Sequence, residues 1–252
     1  MIIRDEQIKA LADSLARNFE KEMNRHLHEF SPKHCRAIGD AGVGEVIRRS
    51  IQSAGKYGFT KRGPVRLYID LVFMFGSDFV TDPLHSWAAE ILKSGGTADQ
   101  MERAEHLYVK ALEFSAATAG PNQEYAKEAI RRFRGMRNED ITLPKGDFES
   151  ACVARLRASY PQRFDYAGEP AVREMIRGAV EKAGFYSISE EQGLLLFATL
   201  MFAIGQGFAE DPLFPWISST LNDGAVSDPS ERLERLYSKT MIYLDDVIAS
   251  TS

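Results

Sequence analysis

Apolar residues recur at intervals of three and four positions over most of this chain, which is the spacing of one face of an α-helix. The first such stripe precedes Pro32, and its members are Ile8, Leu11, Leu15, Phe19, Met23 and Leu27. The second stripe precedes Gly58, and its members are Val43, Val46, Ile47, Ile51 and Ala54. The pattern therefore predicts two consecutive amphipathic helices, each closed by a proline or a glycine.

Two later segments are apolar nearly all round, residues 64–76 and residues 192–204. That composition is typical of a helix surrounded by other helices. Each segment is followed by a turn of the form F-x-x-D-P-L-x-x-W. We expect Asp82 and Asp211 to be helix N-caps in these turns, with the following proline as the first helical residue.

A last helix is predicted to begin near Thr97 and, in the later part of the chain, near Ser227. One face of the earlier helix carries Met101, Ala104, Tyr108 and Ala111, and the matching face of the later one carries Ser230, Leu233, Tyr237 and Thr240. No segment alternates apolar and polar residues between hairpin turns. The predicted fold class is all-α.

The chain also contains an internal repeat. A shift of 129 positions aligns the sequence with itself without a gap, from Phe19 on Phe148 to Phe114 on Tyr243, and about thirty of the ninety-six pairs are identical. FMFGSDFVTDPLHSW, for example, aligns with FAIGQGFAEDPLFPW. A long period that occurs only twice indicates a duplicated domain and not a solenoid.

The repeat predicts a tandem duplication of a five-helix module, packed about a pseudo-twofold axis. We expect a first helical module over 1–120, a connecting helix and linker over 121–146, and a second helical module over 147–252. The connecting segment begins with the helix-forming NQEYAKEAIRRFRGM and ends in the loop-like NEDITLPKG.

Composition narrows the function classes. The net charge of −5 and the pI near 5.6 argue against a dedicated nucleic-acid binder, since phosphate contacts need clustered basic residues. The longest apolar run, 193–205, is too short to cross a bilayer. We expect no membrane span and, without a secretion leader, a cytoplasmic protein. The acidic surplus lies in the second module, which could attract a basic partner.

Four candidate zinc ligands lie close together in the sequence: His26, His28, His34 and Cys35. The repeat argues against a metal site, because the aligned positions hold Arg155, Arg157, Arg163 and Phe164. Neither Cys35 nor Cys152 aligns with another cysteine, so both are interpreted as small apolar fillers. We predict no metal site.

The glycine-rich GDAGVG at 39–44 fits neither a dinucleotide fingerprint nor a P-loop, and only its first glycine recurs in the aligned GEPAVR. A nucleophile motif such as G-x-S-x-G is also missing from the sequence. We therefore predict no catalytic residues, no cofactor and no enzymatic activity. An enzyme with an unfamiliar helical active site at the module interface remains an alternative.

Polar and aromatic residues that are identical in both modules are further candidates. They are Asp82/Asp211, Trp87/Trp216, Glu102/Glu231, Arg103/Arg232, Tyr108/Tyr237 and Lys110/Lys239. Capping, core packing and ion pairing account for every one of these residue types, and this is the favoured interpretation. The alternative is that the shared polar groups line a pocket that is present twice.

GKYGFTKRGPVRLYIDLVFMFGSDFVTDPLHSW and EKAGFYSISEEQGLLLFATLMFAIGQGFAEDPLFPW resemble a group of helical bacterial proteins encoded beside type VI secretion effectors. That group has a Y-G-I turn, an apolar helix and F-x-x-D-P-x-x-P-W. The second module keeps the D-P-L-F-P-W ending, whereas the first has Ser86 in place of the proline, and Ser187 replaces the glycine after Tyr186.

This resemblance implies an immunity protein that binds and neutralises a type VI secretion toxin by occlusion. The acidic second module suits a toxin with a basic surface, and Glu231 and Glu234 are the candidate partner-binding residues. An adaptor or chaperone that holds an effector for loading is the alternative. That role would require an exposed apolar groove, for which the apolar segment 192–204 is the candidate.

Overall fold

The computed structural model describes residues 5–93, 99–135 and 147–249, and within these ranges every regular element is helical. The α-helices are α1 (Asp5–Phe30), α2 (Pro32–Lys56), α3 (Arg62–Phe75), α4 (Ser86–Lys93), α5 (Gln100–Ala119), α6 (Glu124–Arg134), α7 (Phe148–Ser159), α8 (Pro161–Ala167), α9 (Glu169–Phe185), α10 (Glu191–Ile204), α11 (Pro215–Leu221) and α12 (Pro229–Ala249). Two single 3₁₀ turns, Pro83–His85 and Pro121–Gln123, complete them. The predicted all-α fold class is confirmed.

The helix boundaries of the two halves follow the 129-residue shift of the sequence. Helices α3 and α10 begin and end at aligned residues. Helices α5 and α12 also begin at aligned residues. Gly39, at φ 67°, interrupts α2, and the aligned Gly168, at φ 81°, separates α8 from α9. Both positions need the left-handed backbone region that glycine enters at low cost. The same local sequence signals therefore place the same breaks in both halves.

The core is continuous from one half to the other. Helices α3 and α10 lie at its centre, and the buried residues of α10 include Leu195, Phe197, Leu200 and Phe202. Helix α6 packs against both α5 and α12, and α8 packs against α5. Helix α6 lies in the segment predicted to connect the modules, whereas the loop predicted after it, at 138–146, lies outside the described residues.

Two predicted stripes are only partly buried. In α1, Met23 and Leu27 are buried, but Leu11 and Leu15 are exposed. The side chain of Ile8 lies outside the described set. Helix α1 therefore packs through its C-terminal half, and the apolar spacing of its N-terminal half does not decide burial.

The stripe predicted for α5 is wrong at two positions. Met101 and Tyr108 are exposed. The helix instead buries a neighbouring row, consisting of Arg103, Ala104, Leu107, Ala111, Phe114 and Thr118. Both rows have helical spacing, and the packing of α5 against α3 and α8 selects the second.

The two aspartate-proline turns also differ. Asp82 caps the 3₁₀ turn as predicted, since its side chain accepts a hydrogen bond from the Leu84 amide. Asp211 accepts the equivalent bond from Leu213, but α11 begins only at Pro215. Pro212 is therefore not the first residue of a helix. The extra proline of the second half starts the helix instead, because a missing N–H is tolerated at that position.

Candidate functional site

The two halves meet most closely where α3 and α10 end. Gly76 (φ 93°) and Gly205 (φ 118°) end these helices. A Cβ on Gly76 would lie 3.0 Å from the Ile204 carbonyl oxygen, and a Cβ on Gly205 would lie 2.7 Å from the Phe75 carbonyl oxygen. The backbones approach too closely for a side chain, and each glycine faces the end of the other half's helix.

Asp82 and Asp211 fix this junction through reciprocal hydrogen bonds. Asp82 accepts the amide of Leu84 in its own half at 2.9 Å and the amide of Gln206 in the other half at 3.0 Å. Asp211 accepts the amide of Leu213 at 2.9 Å and that of Ser77, in the other half, at 2.7 Å. Each carboxylate therefore satisfies one buried amide on either side of the junction.

Arg163 is a buried cation whose positive charge acts on Asp82. Its guanidinium lies over the rings of Phe114 and Phe202, at 5.5 and 5.7 Å from their centroids, and its Nε has no hydrogen-bond partner among the described residues. Desolvation raises the pKa of Asp82, and the positive charge of Arg163 and the bound amides oppose that rise. Desolvation correspondingly lowers the pKa of Arg163. Arg163 and Asp82 compensate each other's charge across the junction.

His85 is a second buried polar group without a hydrogen bond. Both ring nitrogens lack a partner in the described part of the chain, and Nδ1 lies 3.8 Å from Oδ2 of Asp82. Burial, and then the charge of Arg163, lower the pKa of His85 well below its usual value. The ring packs between Phe75 and Phe114, with both centroids at 4.9 Å. A neutral imidazole therefore occupies an aromatic position, and the aligned residue of the other half is Phe214.

A cavity of about 260 Å³ opens beside the junction. Helices α3, α6, α10 and α12 form its walls, with Phe73, Met74, Ala129, Phe133, Leu200, Ala203, Leu213, Phe214 and Leu244 among the apolar residues that line it. Arg163, His34, Thr199, Thr240 and Tyr243 bring polar groups to the lining. The sequence predicts an interface pocket only in the enzyme alternative, and it predicts neither this cavity nor a site that includes Arg163.

His34 and Arg163 occupy aligned positions of the repeat and line the same cavity. His34 Nδ1 lies 2.9 Å from the Ser31 hydroxyl, and its ring meets Phe214 edge-on at 5.6 Å. Desolvation lowers the pKa of His34, so the imidazole is neutral near pH 7. The cavity thus offers one permanent cation and uncharged donors to a ligand, with an apolar wall around them.

The four sequence candidates for a metal site do not converge. His26 lies 2.7 Å from Asp70 and 2.9 Å from Arg66, whereas His28 lies 3.0 Å from Asp40. The remaining two point elsewhere, His34 to the cavity and Cys35 into the core. Within residues 5–93, 99–135 and 147–249 no group of three or more His, Cys, Asp or Glu side chains could hold a metal ion.

In the described part of the chain, the arginines shared by both modules have structural roles. Arg103 donates to the carbonyls of Tyr57 and Leu92 at 2.8 and 3.1 Å, and the aligned Arg232 donates to those of Tyr186 and Val226 at 3.3 and 2.7 Å. Each arginine therefore binds the backbone at the start of the loop that precedes α3 or α10. Trp87 is buried, Trp216 partly so, and Tyr108 is exposed. Asp82, Trp87 and both arginines therefore have the structural roles expected of them. Asp211 does not begin a helix, Trp216 is only partly buried, and Tyr108, which was expected in the core, is exposed.

Helix α5 presents an exposed apolar row beside acidic residues. Met101, Tyr108 and Leu112 are 49%, 52% and 50% exposed and lie one above another at helical spacing. Glu102 lies beside this row, and Glu105 lies within it, between Met101 and Tyr108. On α12 the aligned acidic residues are Glu231 and Glu234, the candidates from the sequence.

Glu231 and Glu234 differ in their surroundings. Both are exposed on α12. Glu231 Oε1 accepts a hydrogen bond from Arg235 at 2.7 Å, so part of its charge is already neutralised within the helix. The face of α12 that matches the apolar row of α5 is partly covered, because Arg134 of α6 contacts Met241. The α5 face is therefore the more accessible of the two.

Comparison with known proteins finds no match, whether with protein-family models, curated protein sequences or solved structures. A separate finding concerns membranes: none of the helices in the described ranges is both long enough and apolar enough to span one.

Proposed function

We propose that this chain is an immunity protein that binds a toxin of the type VI secretion system and neutralises it by occlusion, acting in the cytoplasm of the producing cell. The resemblance of the two D-P-L blocks to proteins encoded beside such effectors supports the proposal. The observation that carries it is the apolar row of Met101, Tyr108 and Leu112 on α5, where three large side chains are about half exposed.

An exposed apolar row favours a protein partner. Isolated exposed apolar residues are ordinary, but neighbouring ones with a polar rim, such as Tyr108 and Leu112 one turn apart, are typical of an interaction site. A tyrosine flanked by aliphatic side chains is also a composition common at the centre of protein interfaces. The N-terminal half of α1, with Leu11 and Leu15 exposed, adds a second apolar surface to the same half of the molecule.

The charge of this face favours a basic toxin. Glu102 borders the row and Glu105 lies within it, while Lys110 is paired with Glu113 at 2.6 Å. Complementary charge accelerates association, and an immunity protein must capture its toxin before the toxin acts. The contact includes α5, and Glu231 and Glu234 on α12 are further candidate contacts for the toxin.

The duplication belongs to the same proposal. We infer that the halves derive from one five-helix module and pack about a pseudo-twofold axis near Gly76 and Gly205. The aligned helix ends and the reciprocal bonds of Asp82 and Asp211 support this inference. Two copies provide a wider surface for occlusion than one.

The test is a pull-down of the tagged chain with the product of the neighbouring effector gene, followed by growth assays with that effector alone and with both proteins. Immunity requires binding and rescue of growth. Binding without rescue supports the adaptor alternative. Failure to bind excludes both roles for that effector.

The binding face is tested with variants. Tyr108→Arg combined with Leu112→Arg should abolish binding of a basic toxin, whereas Phe185→Arg is the matched control, since Phe185 is an 85% exposed apolar residue at the end of α9. Glu102→Lys with Glu105→Lys should slow association and reduce its salt dependence. The same reversal of Glu231 and Glu234 reports the contribution of α12. A normal affinity of the arginine variant would exclude the α5 face.

A further inference from the structure

We propose that the cavity beside the junction binds a small carboxylic acid with an apolar body, whose carboxylate lies at the guanidinium of Arg163 and whose hydrocarbon part fills the space between α6, α10 and α12. The proposal concerns a binding site that is separate from the α5 face. It does not depend on the identity of the protein partner.

Arg163 is buried and has an unsatisfied hydrogen-bond donor. An arginine that is nine-tenths buried normally has its donors satisfied, because an unpaired polar group away from water is costly. Here Nε is unpartnered, and two aromatic rings contact the guanidinium. The compensating charge of Asp82 sits on oxygens that already accept the amides of Leu84 and Gln206. A ligand carboxylate would supply the missing acceptor in the geometry that guanidinium groups bind best.

The wall of the cavity is mostly apolar. Apart from its few polar groups it is built from aliphatic and aromatic side chains, with Phe133 and Ile130 on α6 and Leu200 on α10. Apolar pockets with a few convergent polar groups are the usual form of small-molecule sites. A cavity of about 150 Å³ is enough to hold benzene. The larger space here therefore accommodates a medium-chain or phenyl-substituted acid.

The polar groups that line the cavity beside Arg163 are uncharged hydrogen-bonding groups. Thr199 offers a hydroxyl, and burial raises the pKa of Tyr243 to about 12, so its hydroxyl stays protonated and can donate. His34, held at Ser31, adds a neutral ring. Acidic side chains are not among the residues that line the cavity. Such a set selects an anionic head group over a cationic one.

The test is calorimetric titration of the full chain with octanoate, 1-octanol and octylamine. Octanoate should bind saturably and about tenfold or more tightly than 1-octanol, because one charge-assisted bond to arginine separates them, and octylamine should bind more weakly than both. Equal affinity for octanoate and 1-octanol, or no saturable binding of octanoate at millimolar concentration, overturns the proposal.

Variants locate the site. Arg163→Met, which keeps the length and apolar stem of the side chain, should weaken octanoate about tenfold or more and leave 1-octanol within about twofold. Arg36→Met, an exposed arginine away from the cavity, is the matched control and should bind as the native chain does. If Arg163→Met leaves the affinity for octanoate unchanged, the carboxylate does not lie at Arg163.

A second variant covers the case in which Arg163→Met does not fold, because removal of Arg163 leaves Asp82 without its compensating charge. Ala203→Phe adds a ring at the solvent edge of the cavity and keeps Arg163 in place. It should abolish binding of octanoate and of 1-octanol together. Undiminished binding of octanoate to this variant places the ligand elsewhere and overturns the proposal.

Discussion

Asp82 and Asp211 hold the two halves of this protein together by exchanging backbone bonds: each carboxylate accepts one amide of its own half and one amide of the other. Asp211 also accepts the Ser77 hydroxyl at 2.8 Å. An aspartate that caps only its own turn stabilises a local element. Because these two also bind the other half, they couple local capping to the docking of the halves.

We predict that Asp211→Ala lowers the free energy of unfolding by about 3 kcal/mol or more, since it leaves two amides and a hydroxyl at the junction without acceptors. Asp223→Ala is the control. Asp223 accepts the amide of Ala225 two residues on, at 3.0 Å, but its other bond goes to Arg235 on the surface. Its removal should cost only about 1 kcal/mol. Chemical denaturation of both variants measures the difference, and equal losses would argue against a role at the junction.

The second prediction concerns His85 and pH. Its folded pKa is depressed by burial, so the unfolded chain binds a proton that the folded protein excludes. Its stabilising effect is therefore present above the unfolded pKa of about 6.5 and is lost as the pH falls below that value. His34, whose pKa is also lowered, acts in the same direction.

His85→Phe installs the residue of the aligned position, Phe214, and removes two unpartnered nitrogens. The variant should lose stability less steeply than the native chain between about pH 6.5 and pH 5. Thermal unfolding at a series of pH values tests this expectation. His106→Gln, a substitution on the exposed side of α5, should leave the native pH profile unchanged. Parallel profiles for His85→Phe and the native chain would contradict the assignment.

The third prediction concerns Ser187, a non-glycine residue in the left-handed region at φ 59°. The aligned Gly58 has φ 75° and makes the same turn, with its amide 3.0 Å from the Gly55 carbonyl. Ser187→Gly should raise the free energy of unfolding by about 1 kcal/mol or slightly less, because a side chain is strained in this conformation. Gly58→Ser should lower it by a similar amount. A loss of stability in Ser187→Gly would show that the serine side chain contributes more than the strain costs.

The fourth prediction separates the two tryptophans. Trp87 is 8% exposed and packs edge-on against Phe75 at 5.9 Å. Trp216 is only partly buried and packs against Tyr243 at 5.8 Å, beside the cavity. We expect Trp87→Ala to cost about 3–5 kcal/mol and Trp216→Ala less than this. Melting temperatures of the two variants give the order, and the reverse order would contradict the burial of Trp87.

The helices and the aspartate cap within the repeat show which structural features the local sequence specifies. Helices predicted at 64–76 and 192–204 are found at Arg62–Phe75 and Glu191–Ile204, and the predicted cap at Asp82 is present. Propensity, periodicity and capping act over a few residues, so a sequence contains them completely. Cys35 and Cys152, interpreted from the sequence as small apolar fillers, are both buried.

Burial was predicted less well wherever two rows of apolar residues compete on one helix. On α5 the row with Tyr108 and the row with Leu107 have the same spacing, and only the helices that pack against it decide between them. Arg163 is the sharper example. Its alignment with His34 shows that a polar residue occurs there in both halves, but a charged side chain is normally expected at the surface.

The sequence by itself determined the all-helical class, most helix ends and the correspondence between the halves, because each of these follows from short-range rules repeated at a fixed distance. Only the tertiary structure decided that Asp82 and Asp211 bind across the junction, and that His34 and Arg163 face one cavity. The physical reason is distance along the chain. Burial, charge compensation and cavity shape depend on residues more than a hundred positions apart, and their contacts exist only after the helices have packed.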